Sequence, residues 1–287
     1  MRQSHGHPLM DDQQFDRIAA LTYRESGITL VREKKLMVQS RLRHRLRALS
    51  IDTYSTYADH VSSTRGLDER RFMISALTTN VSQFFREAQH FDVLCQSLLP
   101  TFRERIAKGE RIRIWSAGCS NGQEPYSIAM HLLSQEPALA TADFRILATD
   151  IDRRVITFAR EGHYSASQLS TVPKAHLEVF TVEHPNDDGD RIVIDTLKTV
   201  VSFRELNLFT DWPMQFQFDA IFCRNVVIYF DQPMQEKLWP RFNDALLPGG
   251  LLFLGHSERI SDPGAHGFRS SGPTAYTKPA PSLLYSR

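Results

Sequence analysis

The sequence is poor in cysteine and has no long apolar segment. Only Cys95, Cys119 and Cys223 occur among 287 residues, which is too few and too scattered for a disulfide framework or a zinc site. No window reaches the roughly 18 apolar residues that cross a bilayer. The N-terminal stretch MRQSHGHPLMDDQQ also lacks the apolar core of a signal peptide. We therefore expect a cytoplasmic protein with no bound metal and no direct insertion into a membrane.

Neither sign of charge is in excess. Lys and Arg number 34 against 33 Asp and Glu, which gives a formal net charge of +1. This balance gives no overall reason to expect a nucleic-acid partner, so electrostatic partners have to be sought in local clusters of charge. With 287 residues, the chain has the length of one large or two modest domains.

Glycine is rare in the first third of the chain. Gly27 and Gly66 are the only glycines from residue 15 to residue 92, and apolar residues recur there at helical spacing. After Gly109 the short β-rich runs RIRIWSA, FRILATD, FDAIFCRN and GLLFLGH appear, and helical segments separate several of them. This alternation is typical of a parallel sheet with crossover helices. We predict an all-helical domain with a linker over residues 1–92 and a Rossmann-like α/β domain over residues 93–287.

One stretch interrupts the alternation of strands and helices. The run HPNDDGD at 184–190 is a strong turn signal, and IVIDTLKTVVSF follows it at 192–203. The pattern predicts a small antiparallel β insertion at about residues 163–206 of the α/β domain.

The stretch IWSAGCSNGQEPYSI, at 114–128, predicts a ligand site at the end of a buried strand. Gly118 and Gly122 remove side chains from the turn, and Pro125 suits the first turn of the helix that follows. A glycine turn between a strand and a helix most often holds a nucleotide or a nucleoside. The charge of the turn distinguishes between these ligands.

The turn carries an acid, Glu124, and no lysine, so it is unlike a phosphate-binding loop. An acid suits a cationic ligand, and S-adenosylmethionine has an ammonium and a sulfonium but no phosphate. The next strand, FRILATD, ends in Asp150, an acceptor for ribose hydroxyls. Taken singly, Glu124 is equally explained by the helix dipole and Asp150 by helix capping. Together with the strand order, they favour a Rossmann-like methyltransferase domain that binds S-adenosylmethionine.

Longer segments carry a more specific resemblance. In order along the chain they are TTNVSQFFRE (78–87), RIWSAGCSNGQEPYSIAM (113–130), ILATDID (146–152), FDAIFCRNVVIYFD (218–231) and LLPGGLLFLGHSE (246–258). Together they resemble the chemotaxis receptor methyltransferases, the CheR family. The resemblance implies transfer of a methyl group from S-adenosylmethionine to glutamate side chains on the cytoplasmic helical bundle of chemoreceptors, which forms a glutamate methyl ester.

The resemblance also implies the residues of the site. Tyr229 lies where the family has a tyrosine that faces the transfer site, so it is the predicted catalytic residue. The family commonly has threonine and glutamate where this chain has Asn121 and Gln123, and both replacements keep hydrogen-bonding capacity. The implied cofactor contacts are Asn80, Ser82, Arg86, Glu124, Asp150, Asn207, Leu208, Arg224 and Asn225.

Judged by their residue types alone, several of these positions have simpler explanations. Arg86 is equally a surface ion-pair partner, Asn225 a turn residue and Tyr229 a core ring. His256, in the sequence GHSE, is expected to be structural, and Cys223 a small buried apolar residue. A glutamate acceptor, with an ordinary pKa of about 4.3, is already ionised at neutral pH and needs no general base.

A basic segment in the helical domain is the predicted receptor contact. From Lys34 to Arg47 its apolar residues recur at helical spacing, so one face packs inward and the basic residues project. The apolar positions are Val38, Leu42 and Leu46, with Leu49 just after the segment. The basic positions are Lys34, Lys35, Arg41, Arg43, Arg45 and Arg47, with Arg32 just before the segment. A glutamate-rich receptor helix would be steered by this charge, as nucleic-acid phosphates would be. We predict a monomer.

Two alternatives stay open. A nucleic-acid methyltransferase is disfavoured, because the strand end FCRNVVIYF has neither the Pro-Pro-aromatic motif nor the Pro-Cys nucleophile of such enzymes. A module that binds S-adenosylmethionine without transfer is the other alternative, although a complete set of predicted cofactor residues argues against it.

Overall fold

The computed structural model describes residues 9–185 and 189–280. Contacts divide the chain into two units: the first runs up to Thr79 and includes Tyr229–Asp231, and the second contains Asn80–Ile228 and the chain from Gln232 onward. The division falls earlier than the boundary predicted after residue 92. The reason is that the segment from Asn80 bonds within the second unit; for example, the Phe85 amide donates to Ser127 Oγ at 2.9 Å.

The first unit is helical, as predicted. Asp11 caps its first helix with a reciprocal capping box that involves Gln14, and each helix buries a stripe of apolar residues. The helices are α1 (Asp12–Ser26), α2 (Lys35–Ala48), α3 (Tyr54–Ser62) and α4 (Leu67–Leu77).

Helix α2 contains most of the predicted basic segment. Val38, Leu42 and Leu46 are buried as predicted, but Leu49 is exposed because the helix ends at Ala48. The arginines do not all project. Arg45 donates to both carboxylate oxygens of the buried Glu69, at 2.9 and 2.5 Å.

Three further basic residues of this segment also have partners within the unit. Arg41 Nη1 donates to the carbonyl oxygens of Leu77 and Thr78, both at 2.8 Å. Arg32 and Lys35 bond to the aspartates of α1: Arg32 Nη2 lies 2.6 Å from Asp16 Oδ2, and Lys35 Nζ lies 2.5 Å from Asp12 Oδ1. Much of the positive charge is therefore already compensated inside the helical unit.

The second unit contains a seven-stranded sheet in the order β6-β2-β1-β7-β8-β10-β9. The first five strands in this order pair in parallel, while β10 and β9 are antiparallel. Strands β1 and β7 are buried almost throughout, as expected for central parallel strands with both faces covered. The strands are β1 (Ile112–Ala117), β2 (Phe144–Asp150), β6 (Val201–Glu205), β7 (Phe218–Cys223), β8 (Leu246–Leu254), β9 (Arg269–Gly272) and β10 (Ala275–Thr277).

Helices connect these strands. The N-terminal residues of α6 continue directly from the glycine turn, and Ile128 and Leu132 of this helix are fully buried. The helices of this unit are α5 (Gln89–Ala107), α6 (Gln123–Gln135), α7 (Arg153–Glu161), α8 (Lys174–Phe180), α9 (Asp195–Val200) and α10 (Gln232–Ala245).

A separate three-stranded antiparallel sheet has the order β3-β5-β4, with β3 (His163–Tyr164), β4 (Thr181–Glu183) and β5 (Arg191–Val193). It confirms the predicted antiparallel insertion but ends earlier than the predicted limit of about residue 206. The segment Asp195–Val200 forms α9, a crossover helix that places β6 in parallel beside β2.

No helix in the described ranges is long and apolar enough to span a bilayer.

Candidate functional site

The predicted cofactor residues cluster at the carboxyl ends of the parallel strands. Glu124 follows β1, Asp150 ends β2, and Asn207 follows β6. Arg224 and Asn225 follow β7. Because β6, β2, β1 and β7 are consecutive neighbours in the sheet, their carboxyl ends meet at one edge. Residues separated by long stretches of sequence are therefore brought to one place.

The glycine turn has a backbone that only glycine adopts easily. Gly118 and Gly122 have φ of 86° and 89°. A Cβ at Gly118 would overlap the side chain of Val226, and one at Gly122 would lie 2.8 Å from both Ala159 Cβ and Tyr164 Oη. The space beside these two glycines, which was predicted to accommodate a ligand, is therefore occupied by neighbouring side chains of the protein itself.

Glu124 and Arg224 form a buried ion pair. Arg224 Nε donates to Glu124 Oε2 at 2.7 Å, and Ser116 Oγ donates to Glu124 Oε1 at 2.6 Å. The side chains are 9% and 3% exposed for Glu124 and Arg224 respectively. The acid predicted to meet a cationic ligand is therefore already bonded to a cation. A carboxylate has about four lone-pair sites, so further bonds to a ligand remain possible.

Arg224 is held from several directions. Its Nη1 donates to the carbonyl oxygen of Arg86 at 2.6 Å, and it lies 3.4 Å from His90 Nδ1 and 3.7 Å from Glu87 Oε2. Burial and the charge of Arg224 lower the pKa of His90 to about 4, so this imidazole is neutral near pH 7. Arg86 thus reaches the cluster through its backbone, and Glu87 and His90 are members that the sequence analysis did not identify.

Asp150, the last residue of β2, is bonded to the glycine turn. Its carboxylate accepts from the amides of Ser120 and Asp152, both at 2.9 Å. Burial, with a smaller effect from the nearby Asp152 charge, raises the pKa of Asp150 to about 6. The group is thus a buried acid whose ionisation is costly and which gains from any hydrogen-bond donor brought by a ligand.

Asn80 joins the same cluster from the segment before α5. Its side-chain amide donates to Asp152 Oδ2 at 2.7 Å, and its carbonyl accepts from Ser120 Oγ at 3.0 Å. Asp152 is fully buried and caps α7 by accepting from the Arg154 amide. Ser82, in the same segment as Asn80, is half-buried.

Asn225 and Leu208 are held by hydrogen bonds between their backbone and side chains elsewhere in the second unit. Asn225 has a φ of 59°, and its amide donates to Glu258 Oε2 at 2.8 Å. Burial raises the pKa of Glu258. The carbonyl oxygen of the buried Leu208 accepts from Trp212 Nε1 at 3.2 Å and from Arg241. Asn207 Oδ1, beside Leu208, accepts from the Phe209 amide at 2.9 Å.

Tyr229 is grouped differently from the other predicted residues. Contacts assign Tyr229–Asp231 to the helical unit, where the carbonyl oxygen of Tyr229 accepts from the Thr29 amide at 2.8 Å. The remaining predicted site residues all belong to the second unit.

The hydrogen-bond acceptors at this end of the sheet fit the donor groups of S-adenosylmethionine. A buried carboxylate at Asp150 suits a ribose diol, and a second at Glu124 suits an ammonium group. Gln123, the first residue of α6, is 3% exposed, and its Oε1 has no hydrogen-bond partner within the described residues. Such an orphaned buried acceptor at the glycine turn is a further position for a ligand donor. The described residues contain no group of His, Cys, Asp and Glu arranged to hold a metal ion.

Comparisons with known proteins agree with this architecture. A family model for the "CheR methyltransferase, SAM binding domain" matches residues 80–276, and one for the "CheR methyltransferase, all-alpha domain" matches residues 13–78. The two matches meet where contacts divide the chain into its two units.

Curated relatives cover most of the chain. A probable chemotaxis protein methyltransferase of Rhizobium etli is 45% identical over 257 residues, 89% of this chain and 96% of that protein. Chemotaxis protein methyltransferase 2 of Pseudomonas aeruginosa is 38% identical over 269 residues, 92% of each chain. The chemotaxis protein methyltransferase of Salmonella typhimurium is 40% identical over 255 residues, 88% of this chain and 86% of that protein.

Proposed function

Because the chain belongs to the CheR methyltransferase family, we propose that it is a protein-glutamate O-methyltransferase that modifies chemoreceptors with S-adenosylmethionine as methyl donor. The observation that carries the proposal is the set of buried carboxylates, Glu124 and Asp150, at the carboxyl edge of the sheet in the domain that the family uses to bind this cofactor. The printed names of the relatives support chemotaxis as the context.

Each predicted contact has a role in the proposal. Asp150 accepts hydrogen bonds from the ribose hydroxyls, and Glu124 meets the ammonium group while Arg224 holds it in place. The Asn207–Leu208 turn and Asn225 contact adenine and the methionine portion. The linker contacts are Asn80, Ser82 and Arg86, and Tyr229 faces the acceptor.

The proposed reaction depends on alignment of the acceptor carboxylate with the methyl group rather than on proton transfer. When bound, the cofactor supplies a methyl group attached to a cationic sulfur. An acceptor glutamate is ionised at neutral pH, since its ordinary pKa is about 4.3, so the site needs no general base. What the chain's residues contribute is exclusion of water and a fixed line of approach for the carboxylate.

The receptor contact proposed for the segment Lys34–Arg47 has to use the residues that are not taken up within the unit. Arg41 and Arg45 bond to internal partners, whereas Lys34 is exposed. Reversal of charge at Lys34 is expected to weaken binding of an acidic receptor helix without unfolding the protein. In this proposal the enzyme acts as a monomer in the cytoplasm, where the receptor bundle lies.

The test is transfer of labelled methyl from S-adenosylmethionine to a purified cytoplasmic fragment of a chemoreceptor, followed by mild base. The proposal predicts label that base releases as methanol, because an ester is base-labile. Base-stable label would indicate a different bond. Label on RNA or DNA offered in parallel would favour the nucleic-acid alternative, and binding of the cofactor without transfer would favour a sensor.

A further inference from the structure

The loop Gly255–Glu258 lies against the Arg224–Asn225 turn. Strands β7 and β8 are parallel neighbours with Cys223 paired to Leu254, so the residues that follow each strand lie side by side. A Cβ at Gly255 would be 2.6 Å from Asn225 Nδ2 and 2.7 Å from the Asn225 amide nitrogen. His256 is therefore presented at the same edge of the sheet as the cofactor residues.

The imidazole of His256 is exposed yet fixed. Its side chain is 62% exposed, but both its backbone amide and its ring Nδ1 lie 2.9 Å from the same oxygen, Oε1 of Glu87. An exposed side chain without fixed partners normally samples several rotamers, whereas the His256 ring is held by the buried carboxylate of Glu87. Because Nδ1 is engaged by Glu87, the second ring nitrogen, Nε2, is the one available to a ligand.

Glu87 is itself held in a costly conformation. Its φ is 55°, in the left-handed region that non-glycine residues seldom adopt, and its carboxylate is 9% exposed. Burial opposes its charge, but hydrogen bonds from His256 and the charge of Arg224 hold the pKa of Glu87 below its ordinary value. Non-glycine residues strained in this way concentrate at functional sites.

Glu87 connects His256 to the cofactor acid. Its Oε2 lies 3.7 Å from Arg224 Nη1, and Arg224 Nε bonds to Glu124 at 2.7 Å. The four side chains form a string of alternating acidic and basic groups from the buried end at Glu124 to the exposed imidazole of His256. The string ends at the exposed ring of His256, whose Nε2 is the nitrogen that does not face Glu87.

We propose that His256 binds the acceptor carboxylate through Nε2 and that Glu87 orients the ring; this inference rests on the proposed function. In the protonated imidazole, Nδ1–H donates to Glu87 and Nε2–H donates a charge-assisted bond to one oxygen of the acceptor. The other oxygen forms the bond to the methyl carbon as the bond from that carbon to sulfur breaks with its electron pair on sulfur. His256 keeps its proton throughout.

Two substitutions separate the two ring nitrogens. His256→Asn keeps a nitrogen near the position of Nδ1 and removes Nε2, whereas His256→Gln places an amide nitrogen near Nε2. The full-length chain is titrated, without cofactor, with a receptor fragment that carries either glutamate or glutamine at the acceptor position. The unaltered chain is expected to prefer glutamate about tenfold, as for one charge-assisted hydrogen bond. His256→Asn is expected to lose this preference and His256→Gln to keep part of it.

The matched control is His266→Asn. His266 also bonds to a glutamate, with Nε2 2.7 Å from Glu236 Oε2, but it lies beside α10 in a short turn that precedes β9. The His266→Asn substitution should leave both the preference for glutamate and the rate of methyl transfer unchanged. In steady-state transfer, His256→Asn is expected to lower kcat/KM for the fragment by about 10- to 100-fold, with the affinity for S-adenosylmethionine unchanged.

A glutamate preference in His256→Asn equal to that of the unaltered chain would overturn the inference while leaving the proposed function intact. Loss of cofactor affinity in the same variant would also overturn it, because His256 would then act on the cofactor site. If the unaltered chain transfers no methyl group to the fragment, the proposed function fails and this inference fails with it.

Discussion

Arg224 Nε lies 2.7 Å from Glu124 Oε2, although the two residues are 100 positions apart in the sequence. Parallel pairing of β1 with β7 brings them together. Each was predicted separately as a contact for the cofactor, and the structure shows that they first bind each other. The acid at the glycine turn is therefore part of a structural pair, and its replacement has consequences for stability.

We expect Glu124→Gln to lower the free energy of unfolding by about 3 kcal/mol, because the buried Arg224 loses its closest charged partner. Urea unfolding measures the effect. The control is Glu178→Gln, which breaks the exposed pair with Lys174 at 3.7 Å and should change stability by less than about 0.5 kcal/mol. Equal effects of the two substitutions would show that the buried Glu124–Arg224 pair contributes no more to the free energy of unfolding than the exposed pair does.

The glycine turn offers a test of local packing. Gly118 and Gly249 have similar φ, 86° and 83°, but a Cβ at Gly118 would overlap Val226, whereas one at Gly249 meets nothing within 4 Å. Gly249→Ala should cost only the backbone penalty of about 1–2 kcal/mol. Gly118→Ala should cost more by a further 1–3 kcal/mol, the usual penalty for overpacking. Thermal unfolding of the two variants compares them, and equal midpoints would contradict the predicted overlap.

The bond between Asn80 and Asp152 should couple the linker to the glycine turn. Asp152→Ala removes both the cap of α7 and the acceptor of the Asn80 amide, so we expect a loss of about 2 kcal/mol. Asn80→Ala should cost less. A double-mutant cycle by chemical unfolding should give a coupling of about 0.5–3 kcal/mol, and strictly additive losses would show that the two side chains act independently.

The basic segment should separate folding from receptor binding. Arg45→Ala leaves the buried Glu69 without its ion-pair partner and should destabilise the helical unit by about 3 kcal/mol. Lys34→Glu, at an exposed position, should leave the unfolding midpoint nearly unchanged and weaken binding of a glutamate-rich receptor fragment. Circular dichroism and titration calorimetry measure the two effects. If Lys34→Glu left the receptor affinity unchanged, this result would argue against a receptor contact at Lys34.

The alternation of strand and helix patterns was enough to predict a parallel sheet with crossover helices, and the residues at the strand ends predicted the side of the sheet on which Glu124 and Asp150 lie. The alternation did not predict α9, because six residues between two β-rich runs are too few to show a helical period. The sequence pattern also did not predict that β6 pairs with β2, because the partner of a strand depends on the path of the whole chain.

Residue types alone predicted some members of the candidate site, but they could not predict the contacts that distant neighbours supply. An acid after a strand predicted Asp150. Nothing local predicted that Glu87 would hold both His256 and Arg224, because these contacts join three distant segments. The left-handed backbone of Glu87 is likewise a consequence of its surroundings rather than of its sequence.

The ionisation of Asp150 should make the proposed cofactor site sensitive to pH. Burial raises the pKa of this carboxyl from 3.8 to about 6. In the protein without cofactor, the group's contribution to stability is present below its unfolded pKa and is lost as the pH rises through about 6. Cofactor affinity should move in the opposite direction, because ribose hydroxyls bond best to the ionised acceptor.

The most direct test of the proposed site is equilibrium binding of S-adenosylmethionine between pH 5 and 8, to the unaltered chain and to Asp150→Asn. The proposed contacts predict an affinity that falls about tenfold for each pH unit below about 6 in the unaltered chain. Asp150→Asn should bind at least tenfold more weakly at pH 8, with a flat profile. Equal affinity of the two proteins across this range would contradict the placement of the cofactor at this edge of the sheet.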